Sequence, residues 1–143
     1  MFSDVAFYSG VAASDWSWGA LLFDLNNDGL KDIYVCNGIY HDLTDQDFIN
    51  YFANEVLQDV IMTGKKQDDL EIIKAMPSRP IKNKLFINKG EFKFDDAGDA
   101  IGITTASFSN GSAYGDLDND GDLDLIVTNG FCSGAIVNFM YLN

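Results

Sequence analysis

What this chain has little of narrows its chemistry quickly. It has one histidine, His41, and two cysteines, Cys36 and Cys132, in 143 residues. Two cysteines make no disulfide framework, and their separation rules out a zinc knuckle. Two buried free thiols and a single disulfide both fit that pair, and the thiols are the preferred reading. One histidine cannot build the usual zinc site without cysteine help. Basic residues are scarce too: nine Lys and Arg stand against 22 Asp and Glu, for a formal net charge of −13. Such a chain is a poor partner for nucleic acid or an anionic membrane surface. No apolar run reaches the roughly 18–20 residues of a membrane span. No basic segment with an apolar stretch behind it opens the sequence, so no secretory leader is legible there.

What is present is a packed, acidic, repetitive chain. A hydrophobic content of 47% and 13% aromatics argue against disorder, and the length suits one ordinary domain. Much of the acid lies in two stretches, Asp24-Leu-Asn-Asn-Asp-Gly-Leu-Lys-Asp32 and Asp116-Leu-Asp-Asn-Asp-Gly-Asp-Leu-Asp124. Each is followed by a β-branched apolar run.

These two stretches belong to a longer repeat. Shifted by 92, residues 2–38 align without a gap on residues 94–130. Phe2 falls on Phe94, Gly10-Val11 on Gly102-Ile103, and Asn37-Gly38 on Asn129-Gly130. A shift of 55 pairs Asn83–Asn88 with Asn138–Asn143, so the unit is about 55 residues and the first copy carries a 37-residue insertion. Each unit reads as four short strands. Gly19–Leu25 and Gly111–Leu117 enter the acidic loops, and Lys31–Cys36 and Leu123–Thr128 leave them. Asn83–Asn88 and Asn138–Asn143 alternate as third strands, and Phe92–Asp95 is a fourth. Four strands at this period predict β-propeller blades. The fold class expected is all-β with a helical insertion, a partial β-propeller of four-stranded blades.

The expected organisation follows. Residues 1–38 end one blade and start the next, and 39–80 form a helical hairpin. Residues 81–137 hold third and fourth strands and the start of the following blade, and 138–143 its third strand. In the insertion, Thr44 reads as an N-cap before Asp45-Gln-Asp47, with Phe48, Ile49, Phe52, Val56 and Val60 at helical spacing. Thr63-Gly64 ends that helix, and a second one is expected over Asp68–Met76 before Pro77. One complete blade with two partial ones cannot close a ring, so the chain reads as a fragment whose partners include the remaining blades of a longer parent chain.

The acidic loops have the donor pattern of a hard cation. Asp24, Asn26, Asp28 and Asp32 alternate around the Leu30 carbonyl; Asp116, Asp118, Asp120 and Asp124 do so around the Asp122 carbonyl. Gly29 and Gly121 permit the sharp turn that aims them inward. Two Ca²⁺ sites are therefore expected, the first weaker because Asn26 replaces a carboxylate. Two such ions would bring the formal charge from −13 to −9. An EF-hand is excluded, since its twelfth-position Glu is Val35 or Val127 here and the flanks read as strands. An intracellular calcium sensor is disfavoured on the same ground.

On Ser17-Trp-Gly19, Phe23-Asp-Leu-Asn-Asn-Asp-Gly-Leu-Lys-Asp32, Gly111-Ser-Ala-Tyr-Gly-Asp-Leu-Asp-Asn-Asp-Gly-Asp-Leu-Asp124 and Asn83–Gly90, the chain resembles the FG-GAP/VCBS-type repeats of integrin-α-like β-propellers. Within them it resembles bacterial surface proteins that also carry an ASPIC/UnbV (CRTAC1-like) domain. The resemblance implies Ca²⁺ in the loops between first and second strands. It also implies a secreted, periplasmic or cell-surface location, and binding of a protein or carbohydrate rather than chemistry. Asn26, Leu30-Lys31 and the insertion depart from the pattern. Connections between strands two and three lie on the face opposite the calcium loops, so residues 39–80 are expected to cap or extend a ligand-binding face. A decorative insertion packed on a neighbouring blade is the competing reading.

No catalytic residue is expected. No Ser or Cys carries a nucleophile signature. His41 with Asp42, Asp45 and Asp47 reads as a solvated N-cap turn rather than an acid–base group. Trp16, Trp18, Phe7 and Tyr8 read as buried strand and hub residues rather than sugar platforms. The alternative function is a non-catalytic propeller part of a larger secreted or surface hydrolase.

Overall fold

In the computed structural model, residues 2–42, 44–64, 73–130 and 138–142 are described, without the side chains of 53, 57, 59 and 60. The chain divides into two compact units, Met1–Gly38 with Pro80–Asn143, and Ile39–Arg79.

The first unit opens with one helical turn, α1 (Ala6–Ser9), and continues into β1 (Ser17–Phe23) and β2 (Asp32–Asn37). After the second unit come β3 (Ile81–Lys82), β4 (Lys84–Asn88), β5 (Phe94–Asp96), β6 (Ala106–Ser107), β7 (Ser109–Gly115), β8 (Asp124–Asn129) and β9 (Phe139–Tyr141). β1, β2, β4 and β5 form a four-stranded antiparallel meander in that spatial order, and β7, β8 and β9 form a three-stranded one. One sheet is thus a complete blade and the next holds its first three strands: a partial, propeller-like all-β fold with no closed barrel. A short β3–β6 ladder ties the segment before β4 to the segment before β7.

The core lies between the sheets. Phe23, Tyr34, Cys36, Leu85 and Ile87 of the first sheet pack with Ile103 of the connection and with Leu125 and Val127 of the second. Each such side chain contributes about 1.5–3 kcal/mol by leaving water. That outweighs an exposed ion pair such as Lys82–Asp99, worth about 0–1 kcal/mol. The strands begin and end close to the sequence expectation, with β1 and β7 finishing two residues early. Their last expected residues, Asp24-Leu25 and Asp116-Leu117, are already in the loops.

The 92-residue repeat is written in backbone hydrogen bonds as well as in sequence. Ser9 N–H donates to Val5 O and Val11 N–H to Ala6 O, as Ile101 donates to Ala97 and Ile103 to Gly98. Gly38 N–H donates to Trp16 O and Gly130 N–H to Phe108 O. Gly38 has φ +114°, and a Cβ there would lie 2.1 Å from the Ser107 carbonyl oxygen, so only glycine fits this crossing. Residues 2–5 depart from the expected fourth strand. They are not a strand, because no described strand pairs with them.

In the second unit, α2 (Gln46–Thr63) starts one residue later than the sequence implied. Asp45, not Thr44, is its cap, with Asp45 Oδ1 accepting the Phe48 N–H at 2.9 Å. Thr44 instead gives both its N–H and its hydroxyl to Asp42 Oδ1. The rings of Phe48 and Phe52 stack at 5.2 Å along one helix face. Most of the expected second helix lies outside the described residues; 73–75 are helical. Ile39 and Arg79 exchange two backbone hydrogen bonds of 3.1 and 2.9 Å, closing the neck of this unit.

Candidate metal centre

Both acidic loops fold alike, for reasons visible in their residues. The second position before each glycine is an asparagine in the left-handed region, Asn27 at φ +56° and Asn119 at +69°; Gly29 and Gly121 follow at +85° and +97°. Asparagine and glycine tolerate that region best. The first carboxylate of each loop reaches across to the glycine: Gly29 N–H donates to Asp24 Oδ2 (2.9 Å) and Gly121 N–H to Asp116 Oδ2 (3.1 Å). The third loop ligand caps the turn, Leu30 N–H donating to Asp28 Oδ1 (2.8 Å) and Asp122 N–H to Asp120 Oδ1 (3.0 Å).

The last acidic residue of each loop has a second role. Asp32 and Asp124 are buried, at 0% and 1% exposure. Asp32 Oδ2 accepts the Leu25 N–H at 3.0 Å and Asp124 Oδ2 the Leu117 N–H at 2.8 Å, locking the loop's start to its end. Asp32 Oδ1 also accepts the Asn88 N–H of β4 at 2.8 Å, so one carboxylate ties three strands together. Sequence spacing presents these two as ligands; it does not show that they also clamp the hairpins.

The loops differ where their sequences differ. In the second, carboxylate oxygens of Asp116, Asp118 and Asp120 all lie within 4.8 Å of one another on the exposed surface. Desolvation by the surrounding loop raises the Asp118 carboxyl above the usual carboxylate range, and the charges of Asp120 and Asp124 raise it further. In the first, Asn26 stands where Asp118 does, and its Nδ2 donates to Asp28 Oδ2 at 3.0 Å. An amide hydrogen there does part of what a cation would do among three carboxylates. The loops touch: Asn27 Nδ2 donates to Asp122 Oδ1, and Phe23 stacks on Tyr114 at 4.9 Å and 9°. Oxygen-only donors alternating around a tight turn fit a hard divalent cation such as Ca²⁺.

The other expected residues are placed as follows. Cys36 is buried and free, and Cys132 lies outside the described residues. Burial pushes the Cys36 thiol up, making it a poor nucleophile. Asp42 and Asp45 are engaged by Thr44, Arg79 and the α2 cap, while the His41 ring packs at a tilt of 55° against Tyr40, centroids 4.2 Å apart. The expectation of buried aromatics is corrected at three positions. Phe7, Tyr8 and Trp18 are 91%, 58% and 54% exposed. Trp18 Nε1 still donates to Gly38 O, and Lys93 Nζ sits 3.4 Å over the Tyr8 ring. Among the described residues no helix is long and apolar enough to cross a membrane.

Comparison with known proteins adds one likeness. Residues 57–127 match the family model of the FG-GAP-like repeat. The matched stretch contains β3 to β7 and the whole second loop, with β8 as far as Val127; the first loop precedes it. No curated protein and no solved structure matches the chain.

Proposed function

We propose that this chain is a calcium-stabilised β-propeller repeat module that serves extracellular or cell-surface recognition of a protein or carbohydrate and carries no chemistry of its own. The observation behind it is the convergence of Asp116, Asp118 and Asp120 in a hairpin loop whose fold is repeated at Asp24–Asp32. The FG-GAP-like match across the second loop supports the same reading, and with it a secreted, periplasmic or surface location among further blades of a longer chain. The kinship with ASPIC/UnbV-bearing surface proteins belongs to this proposal.

The residues that would hold the ion are Asp116, Asp118, Asp120 and Asp124 with the Asp122 carbonyl, and Asp24, Asn26, Asp28 and Asp32 with the Leu30 carbonyl. When bound, Ca²⁺ supplies positive charge that cancels carboxylate repulsion and joins the two arms of each hairpin. The chain itself contributes the rest. Gly29 and Gly121 hold the turn, Asp32 and Asp124 fix the strands at their departure, and the Phe23–Tyr114 stack keeps the two loops side by side. Loops stiffened in this way hold the sheet edges at a fixed spacing, which is what a recognition surface requires.

Calorimetric titration with Ca²⁺, paired with melts in chelator and in excess Ca²⁺, tests the proposal. Saturable binding with a raised melting temperature is expected, with the second loop the tighter site. Absence of both heat and shift in a folded sample would overturn it.

A further inference from the structure

The two acidic loops touch at base and at crest. At the base the ring of Phe23, the residue before Asp24, stacks on the ring of Tyr114, two residues before Asp116, with centroids 4.9 Å apart and planes 9° from parallel. At the crest Asn27 Nδ2 donates to Asp122 Oδ1, across 95 residues of sequence. Each member of that hydrogen bond also shapes its own loop. Asn27 holds the left-handed turn, at φ +56°, between Asn26 and Asp28, two of the first loop's proposed donors. Asp122 gives its N–H to Asp120 Oδ1 at 3.0 Å and would offer its carbonyl to the ion, which leaves its carboxylate for Asn27. Leu30 stands at the place of Asp122 in the first loop, so the first loop has no matching acceptor side chain.

The loops are unequally prepared for a cation. In the second, carboxylate oxygens of Asp116, Asp118 and Asp120 already lie within 4.8 Å of one another. In the first, the Asn26 amide is spent on Asp28 twice: its Oδ1 accepts the Asp28 N–H at 3.2 Å, and its Nδ2 donates to Asp28 Oδ2 at 3.0 Å. Asn26 and Asp28 must loosen that pairing before both can face a cation. The first loop therefore has the larger rearrangement to make, and rearrangement lowers affinity. The second loop loads first.

We infer that the second loop conditions the first. Once the second loop is loaded, Asp122 is fixed, its carboxylate holds Asn27, and with Asn27 the turn between Asn26 and Asp28; the first loop then takes its own ion more tightly. This regulation rests on the calcium reading above. The Phe23–Tyr114 stack keeps Asn27 and Asp122 within reach of each other while the loops rearrange.

The gain is that of one hydrogen bond to a charged acceptor made in advance, roughly three- to tenfold in first-loop affinity. By linkage, loading of the first loop tightens the second by the same factor. Charge works against this coupling. The second loop's five carboxylates carry −5, and a divalent cation bound among them reduces that to −3, which weakens the field felt next door. Moderate salt screens the opposition, since the Debye length is about 8 Å at about 0.15 M.

Calcium titration of the full chain by NMR in moderate salt is the test, read at the amides of Gly29 and Gly121, each of which donates to the first carboxylate of its own loop. Gly121 should respond at the lower Ca²⁺ concentration and Gly29 at the higher. Asn27→Gly keeps the left-handed turn and removes the amide, and Asp122→Ala keeps the carbonyl and removes the acceptor. Each should raise the Gly29 midpoint roughly three- to tenfold, and the double variant no further, because both delete one contact. Asp120→Ala, which disables the second loop, should raise the Gly29 midpoint by the same factor, and adding Asn27→Gly to it should change nothing more. The disabled loop carries −4 against −3 for the loaded wild type, so charge alone would tighten the first loop, and a weakening identifies the contact. A Gly29 midpoint that none of these substitutions moves, or that Asp120→Ala lowers, overturns the coupling and leaves the metal reading standing. An Asn27→Gly effect that persists beside Asp120→Ala does the same, since it belongs to the first loop alone. No response at either amide overturns the metal reading, and the coupling with it.

Discussion

Replacing Asp32 by alanine tests whether the last acidic residue of the loop is a structural clamp before it is a ligand. The Asp32 carboxylate is fully buried and accepts two backbone N–H groups, Leu25 at 3.0 Å and Asn88 at 2.8 Å. Alanine leaves both donors without their partner, at about 1–3 kcal/mol each, for a total of about 2–6 kcal/mol. Domains of this size have about 5–15 kcal/mol in all, so the loss is a large fraction of the total. Asn at the same position keeps one acceptor oxygen and should cost about half as much. Asp28 is the control. It is exposed, and water replaces its bond to the Leu30 N–H, so Asp28→Ala should cost less than about 1 kcal/mol. The assay is urea denaturation in chelator, followed by the fluorescence of Trp16 and Trp18 beside the hairpin. If Asp32→Ala and Asp28→Ala agree within about 0.5 kcal/mol there, the clamp argument is refuted.

Three other perturbations have definite signs. Asp118→Asn should raise the melting temperature in chelator at neutral pH and lower Ca²⁺ affinity, because desolvation in the loop, with crowding by the charges of Asp120 and Asp124, pushes its carboxyl up. An acid raised on folding loses stability as pH rises through its window, so this gain should vanish below about pH 3.9, where the wild-type carboxyl is protonated in both states; a gain that persists in acid would refute the crowding argument. Gly38→Ala should cost about 3 kcal/mol or more, read by chemical denaturation, against about 1 kcal/mol for Gly90→Ala. Gly90 also has a positive φ but has open space around it, while Gly38 meets the Ser107 carbonyl. Asp42 is held below the usual carboxylate range by the Thr44 hydroxyl, then by the Thr44 N–H, with Arg79 adding attraction. Its contribution is present above about pH 3.9 and is lost as pH falls through its lower folded value. The protection factor of the Thr44 amide, corrected for its intrinsic exchange rate, should therefore fall in acid, and Asp42→Asn should abolish that dependence.

Much of this was legible before any coordinates. The acidic loops stand out because a metal-type loop needs alternate oxygens and a glycine at one place, and the pattern occurs twice at the same point of a repeat. The strands stand out because Leu125–Thr128 is a β-branched apolar run and Asn83–Asn88 alternates. What escaped reading is long-range. That Asp32 reaches Asn88 depends on how β2 and β4 align, and two residues 56 apart leave no local trace of such a bond. The N-cap of α2 moved from Thr44 to Asp45 because Asp42 competes for Thr44, a contest that spacing alone does not reveal. Phe7 and Tyr8 are apolar and aromatic, which argues for burial, but burial needs a neighbour, and composition does not name one.

The closed neck of the second unit has a consequence for how the chain tolerates change there. Ile39 and Arg79 are bound to each other through both backbone groups. To β2 and β3, whatever lies between them is therefore equivalent to a short hairpin turn. The closure entropy of the intervening residues is met once, at the neck, and grows only slowly with their number. Material can be lengthened, shortened or exchanged there with little penalty to strand pairing. The β2–β3 connection is in that sense a socket, closed at Ile39 and Arg79.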